Sequence, residues 1–400
     1  MKLNKWTVGL AAVGAISLSS AVQAEETEMN VVNSMTSGTT ISGYVSTSFA
    51  YNFNTAVEGV DSADSLGTHK ANGFNLDVVN LTVEKPLDES EWAAGYKAEM
   101  LFGPDATGYN PSYLADDDSD FAVKQAYVNL RTPVGNGLEF KMGVFDTIIG
   151  YEAFNYNANP NYTRSLAWGI EPTQHTGLLA SYQINDIVSV TGGFANTMNA
   201  MINERPTDLD LNSTKDQWNM TYMGAVAVTA PEDMGALAGS TLYGGAIYGR
   251  GSAFSDSDGA NQTSYYVGAT LATGVDGLSV GAAWDYVDVD DTSADTSGSV
   301  WVAGLYTSFQ ATEKLSIHAR GEYGRGNSDL FDPDTADDAK AEAWEATVTL
   351  QYDLWQNVIS RLEYRWDNRN YGPNFGDAQG DPGETLNNAH MVALNVIYSF

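Results

Sequence analysis

Sixteen segments of this chain, each about ten residues long or a little more, alternate apolar and polar side chains with period two. A strand with one apolar and one polar face must lie between two environments, so the pattern predicts an all-β protein. In 91–103, Trp92, Ala94, Tyr96, Ala98, Met100 and Phe102 share one face, with Lys97 and Glu99 on the other. In 138–147, Leu138, Phe140, Met142 and Val144 oppose Glu139 and Lys141. Segment 217–230 aligns Trp218, Met220, Tyr222, Val226 and Val228. Segment 342–354 sets Trp344, Ala346, Val348, Leu350 and Tyr352 against Glu345, Thr347, Thr349 and Gln351. Segment 358–369 sets Leu362, Tyr364 and Trp366 against Arg361, Glu363 and Arg365, and 388–400 runs Val392, Leu394, Val396, Tyr398, Phe400. The remaining segments are 41–53, 74–85, 121–132, 174–184, 187–197, 240–250, 263–273, 278–289, 299–310 and 314–325.

The connections between them sort by length. Short ones (86–90, 133–137, 185–186, 231–239, 274–277, 311–313, 355–357) alternate with long ones (54–73, 104–120, 148–173, 198–216, 251–262, 290–298, 326–341, 370–387). A β-sandwich has no reason to segregate its loops in this way, and a propeller would repeat at about 45 residues. An outer-membrane barrel does segregate them, with tight periplasmic turns and longer external loops. In lipid every backbone amide needs an internal partner, so a spanning sheet must close on itself. The prediction is a transmembrane antiparallel up-and-down β-barrel over 41–400. It has sixteen strands, with fourteen or eighteen as the alternatives, and both termini are periplasmic. Trp218, Trp284, Trp301, Trp344 and Trp366 fall near one end of their strands, and Trp92, Trp355, Tyr352, Tyr398 and Phe400 near the other. Two aromatic belts at the membrane interfaces account for that distribution.

Residues 1–24 read as an address. Lys2 and Lys5 precede an apolar run over 8–18, and Ala21-Val22-Gln23-Ala24 offers a small-residue cleavage site. That is a secretory signal peptide, followed by a periplasmic segment over 25–40; it exports the chain, and the barrel pattern then places it in the outer membrane of a Gram-negative cell. Beyond residue 24 no run approaches the ~20 apolar residues that a membrane helix needs. The chain carries 51 acidic and 19 basic residues and no cysteine. Removing residues 1–24 takes away two lysines and no acid, so the formal charge of −32 becomes −34. Such a chain repels nucleic acid, and it has no thiolate chemistry or disulfide framework.

The inward phase of the strands carries opposed charges. His318, Arg320 and Glu322 turn inward from one strand, Arg361, Glu363 and Arg365 from another, and Glu345 lies on the strand between them. At a strand spacing of about 4.8 Å these form a cross-strand ladder. Lys97, Glu99, Arg131, Glu139 and Lys141 add a second group. The expectation is that all twelve line a pore. The plainer reading is of paired charges bracing a wall. Connection 148–173 is long, aromatic and weakly acidic, with Tyr151, Glu152 and Arg164 along it. It is expected to fold inward and constrict the lumen. The other long connections are acidic at 116–120, 288–291 and 332–338. Close carboxylates bind divalent cations, but none of these has EF-hand spacing, and solvated loops are the stronger reading.

Particular stretches resemble a known family. They are Ser42-Gly43-Tyr44-Val45 with Tyr51-Asn52-Phe53-Asn54, and Gln125-Ala126-Tyr127-Val128 with Pro133 and Gly135. The series continues from Gly143-Val144-Phe145 through Ile149-Gly150-Tyr151-Glu152 and Asn161-Tyr162-Thr163-Arg164-Ser165 to His175-Thr176-Gly177. They are similar to the β-barrel porin family described as OmpL-like, most closely between residues 40 and 200. The resemblance implies a channel-forming outer-membrane protein and no particular substrate. The carboxyl end, with Tyr398 and Phe400, is similar to the signal read by the barrel-assembly machinery, with periplasmic chaperones, membrane lipid and lipopolysaccharide as further implied partners.

The leading functional expectation is passive diffusion of small hydrophilic solutes or ions, with a weak cation preference from the acidic loops. A non-conducting binding or adhesive barrel is the alternative. A barrel enzyme is the weaker one, because no Gly-x-Ser-x-Gly elbow is present and only four histidines are. Of these, His318 beside Glu345 reads as a satisfied wall residue, and His390 is expected to face lipid. No cofactor is expected. A homotrimer is the assembly suggested by analogy with porins of this size.

Overall fold

A computed structural model describes residues 38–53, 70–107, 120–196, 198, 202–203, 220–250, 260–291, 297–327, 340–370 and 387–400. Trp218, His69, the acidic stretches 116–119 and 332–338, and the segment 1–37 lie outside these residues. The strands are β1 (Thr40–Asn52), β2 (Gly73–Lys85), β3 (Ala93–Phe102), β4 (Phe121–Thr132), β5 (Leu138–Asp146), β6 (Gln174–Gln183), β7 (Val188–Ala195) and β8 (Thr221–Thr229). They continue with β9 (Thr241–Arg250), β10 (Ala260–Ala272), β11 (Leu278–Asp291), β12 (Gly298–Gln310), β13 (Leu315–Asn327), β14 (Lys340–Trp355), β15 (Val358–Arg369) and β16 (Asn388–Ser399). Each strand pairs antiparallel with its neighbours in sequence, and β1 pairs with β16, so the sixteen form one closed barrel. Backbone bonds of 3.0 Å in both directions between Gly43 and Phe400 finish the seam.

Closure leaves no sheet edge, as a bilayer requires. The outer face carries the apolar set: Phe74, Met142, Leu305, Trp344, Leu350, Leu362 and Leu394 are all exposed there. Trp92 and Trp355 are exposed near the ends with short turns, and Trp284 and Trp344 toward the opposite ends. The tightest turn, Gln356–Asn357, puts Asn357 at φ 65, a conformation that asparagine tolerates better than most side chains.

Three β-bulges break the ladders; one, at Leu354 of β14, sits beside the β14–β15 turn, and the other two bear on inward charges. Ser46 of β1 opposes Val78 while Thr47 opposes Leu76, which leaves Asp77 as the extra residue. Glu99 of β3 opposes Gln125 while Met100 opposes Val123, which leaves Lys124 unpaired in the ladder. A bulge shifts the side-chain phase by one. Asp77 and Lys124 are therefore buried inside the barrel, although alternation counted from the far end of either strand puts them on the lipid face.

Candidate functional site

The twelve charged residues expected in the lumen all lie on the inward phase, but they divide into two environments. Lys97, Arg131, Glu139 and Lys141 belong to β3–β5 and are partly exposed. Arg131 pairs with Glu139 at 2.5 Å across the β4–β5 ladder. Lys97 approaches Glu99 to 3.2 Å, and Lys124 holds Asp146 at 2.5 Å while reaching Glu99 at 3.7 Å. Glu99 is buried and also accepts bonds from Asn80 and Gln125. The Lys141 ammonium lies 4.6 Å from the centre of the Tyr127 ring.

The second group sits on β13–β15, and its members are only 1% to 3% exposed: His318, Arg320, Glu322, Glu345, Arg361, Glu363 and Arg365. The expectation that these seven border water is corrected by what covers them. Residues 147–173, the connection between β5 and β6, hydrogen-bond directly to Arg320, Glu322, Arg361, Glu363 and Arg365. Arg320 donates to Glu152 at 2.6 Å, to the Thr163 carbonyl at 2.8 Å and to the Arg164 carbonyl at 3.1 Å. Glu363 accepts from the Tyr162 amide at 2.6 Å, the Thr163 amide at 2.9 Å and the Thr163 hydroxyl at 2.7 Å. Arg361 donates to the carbonyls of Tyr156 and Asn159, Arg365 to that of Arg164, and Glu322 accepts from the Leu166 amide.

A simple cross-strand ladder is not what forms. Arg320 does meet Glu345 across strands at 3.1 Å, but Arg365 pairs with Asp367 two residues along its own strand. The register sets Glu345 opposite Glu322, and His318 opposite Thr349. His318 therefore bonds Ser308 at 2.9 Å and does not sit beside Glu345. His390 lies on the outward phase, 2.8 Å from the Tyr364 hydroxyl.

The 147–173 connection is built to be covered. It buries Ile148, Ile149, Tyr151, Phe154, Tyr156, Tyr162, Ala167 and Ile170. Tyr151 stacks on Tyr306 of β12 at 3.9 Å between centroids, and Ile149 packs against Gly245 of β9. Tyr162 donates to Ser48 and shares Asp77, the β2 bulge residue, at 2.9 Å. The Arg164 guanidinium lies 4.5 Å from the Tyr156 ring centre. Lys70 reaches the far end of the connection. It is 2.8 Å from Asp105 and 3.0 Å from the Tyr156 hydroxyl, so the β1–β2 and β3–β4 connections meet the β5–β6 one there. Burial alone would depress the Lys70 ammonium, but Tyr162, Asp105 and Asp77 hold it above its ordinary value.

Sequence reasoning missed Asp77, Lys124, Lys70, Asp105, Glu171 and Asp285. For Asp77 and Lys124 a signal exists, since a charge on the lipid phase of an otherwise clean strand marks a bulge. Asp285 is in phase opposite Trp284 and was readable from alternation. Lys70, Asp105 and Glu171 lie in connections, where period two says nothing. Among the described residues no three His, Asp or Glu side chains group so as to hold a metal.

The whole of residues 38–400 matches the family described as "Putative beta-barrel porin-2, OmpL-like". No curated protein sequence matches the chain. Solved barrels match its fold at low identity. An anion-selective porin from Comamonas acidovorans is 12% identical with TM-score 0.59, covering 90% of this chain and 99% of that one. OmpT, an outer membrane protein of Vibrio cholerae, is 12% identical with TM-score 0.58, covering 93% and 100%. The outer membrane channel DcaP of Acinetobacter baumannii is 11% identical with TM-score 0.57, covering 90% and 97%.

Proposed function

The chain belongs to the OmpL-like β-barrel porin family and is an outer-membrane porin, and from that membership we propose that it carries small hydrophilic solutes or ions by passive diffusion. Residues 147–173 narrow the channel, and the remaining path runs along β3–β5. The observation that carries this reading is the division of the wall charges. Those on β13–β15 are covered by the connection, whereas Lys97, Arg131, Glu139 and Lys141 keep access to water. A sixteen-stranded barrel is wide enough to hold both a loop and a water path.

Selectivity follows from the same division. Arg320 and Arg365 are matched by carboxylates, and Arg361 is satisfied by backbone carbonyls. Their fields are largely spent locally, while the chain as a whole is strongly acidic. A weak cation preference is therefore the proposal, set mainly at the mouth, where fixed charge concentrates counter-ions. The conversion of a substrate is not part of the proposal, nor is a non-conducting adhesive role.

Planar bilayers test it. The purified protein should give stepwise conductance, deleting residues 152–166 should raise the single-channel value, and a salt gradient should give a reversal potential of cationic sign. A silent bilayer overturns the channel, an unchanged conductance in the deletion overturns the constriction, and anion selectivity overturns the charge argument.

A further inference from the structure

Residues 147–173 carry three charged side chains, Glu152, Arg164 and Glu171, and the two acids turn away from water. Glu152 is buried against Arg320 at 2.6 Å, and Glu171 is buried as well. Arg164 stays partly exposed, so the charge that this connection shows to the channel is positive. Among the described residues no carboxylate pairs with its guanidinium. The group lies 4.5 Å from the centre of the Tyr156 ring and 5.5 Å from that of Trp168, and it donates to the Phe154 carbonyl. Its Nη1 has no hydrogen-bond partner among the described residues. The backbone beneath is held in place, because the Arg164 carbonyl accepts from both Arg320 and Arg365.

The wall beside this edge is β3–β5, which Phe154 joins with its ring 5.4 Å from the Lys124 ammonium. The acids of that wall already have bases. Glu139 pairs with Arg131, Asp146 with Lys124, and the buried Glu99 with Lys97 and Lys124. Lys141 is half-buried and makes no ion pair among the described residues; its partner is the Tyr127 ring at 4.6 Å. A cation set against a ring keeps its full charge, since the ring offers a quadrupole and no counter-ion.

We propose that Arg164 and Lys141 are two anion stations on the solute path, which hold small organic carboxylates in transit; the inference rests on the passive-channel reading and adds a solute class to it. A guanidinium fork matches the two oxygens of a carboxylate, and an ammonium holds one as a point charge. The rings of Trp168 and Tyr127 beside these cations offer an apolar face to the body of the solute. Transit needs sites strong enough to be entered and weak enough to be left, so the affinity should be on the order of 1 mM. The acidic mouth does not forbid an anion, because its field fades within about 8 Å at physiological ionic strength.

Saturation-transfer NMR of benzoate on the folded, detergent-solubilised protein reads binding independently of conductance. Benzamide, of the same shape and without charge, is the control ligand, and wild type should bind benzoate roughly tenfold more tightly. Arg164→Gln and Lys141→Gln lie on separate elements, and each is measured on the heat-modifiable folded form. Each should weaken benzoate roughly tenfold, as the loss of one charge-assisted bond does, and leave benzamide unchanged. Lys314→Gln, in an exposed turn, should alter neither ligand. In planar bilayers, benzoate should interrupt the wild-type current briefly, and both variants should shorten the interruptions. Equal binding of benzoate and benzamide overturns the proposal, and so does benzoate binding that neither variant weakens. A silent bilayer with the benzoate preference intact overturns the channel reading and leaves the two stations standing.

Discussion

Replacing Arg320 with methionine removes the fastening that joins the most partners. The guanidinium is 2% exposed and meets Glu152 at 2.6 Å and Glu345 at 3.1 Å, with the Thr163 and Arg164 carbonyls at 2.8 and 3.1 Å. Methionine preserves much of the stem but leaves these carboxylates without their base. Breaking a buried pair from one side costs about 3–5 kcal/mol. At about 1.4 kcal/mol per decade, the population of molecules with residues 152–166 lifted from the wall should rise roughly 100- to 4000-fold. The barrel itself should persist, since its closure rests on backbone ladders that a change in the Arg320 side chain leaves in place. The chain has no cysteine, which allows a clean accessibility assay. Ser165→Cys places a thiol at a buried position of the connection, and Ser90→Cys places one in an exposed turn as a control. Maleimide labelling at 165 should accelerate by at least the lower factor in the Arg320→Met background, while labelling at 90 stays constant. A rate at 165 within threefold of the parent, about 0.6 kcal/mol, would refute the argument that Arg320 pins the connection. Arg320→Lys should fall between the two, because one ammonium cannot span Glu152 and Glu345 as a fork does.

Lys70→Met should loosen the junction where Asp105, Asp77 and Tyr156 meet the ammonium, costing about 3–5 kcal/mol locally; faster protease cleavage near residues 154–160 in the folded protein would report it. Deleting Phe400 removes two backbone bonds at the β1–β16 seam, and the heat-modifiable folded band on a semi-native gel should diminish in outer-membrane fractions while unfolded chain accumulates. An undiminished folded band would mean that the seam and the terminal signal tolerate the loss.

Alternation carried the fold. All sixteen strands lie within a few residues of the segments read from the sequence, and the outward sets such as Leu350, Leu362 and Leu394 face as expected. The reason is local: a half-buried strand writes its two environments into every second residue. The same rule failed at Asp77 and Lys124, where a single extra residue reverses the phase within one strand. Inward orientation was likewise readable for Arg320, Arg361 and Glu363, and so was the unusual composition of 148–173.

Which inward charges meet water was not readable. Glu363 bonds Tyr162 and Thr163 some two hundred positions away, and Arg320 bonds Glu152 across a separation of 168. Such contacts leave no period in the sequence, because they depend on how the closed barrel brings β13–β15 opposite a connection that leaves from β5. Composition and alternation determined a sixteen-stranded outer-membrane barrel with charges on its inner wall. Only the tertiary structure decided that one sector of that wall is spent on holding residues 147–173, because a buried charge is defined by what covers it and not by the strand it stands on.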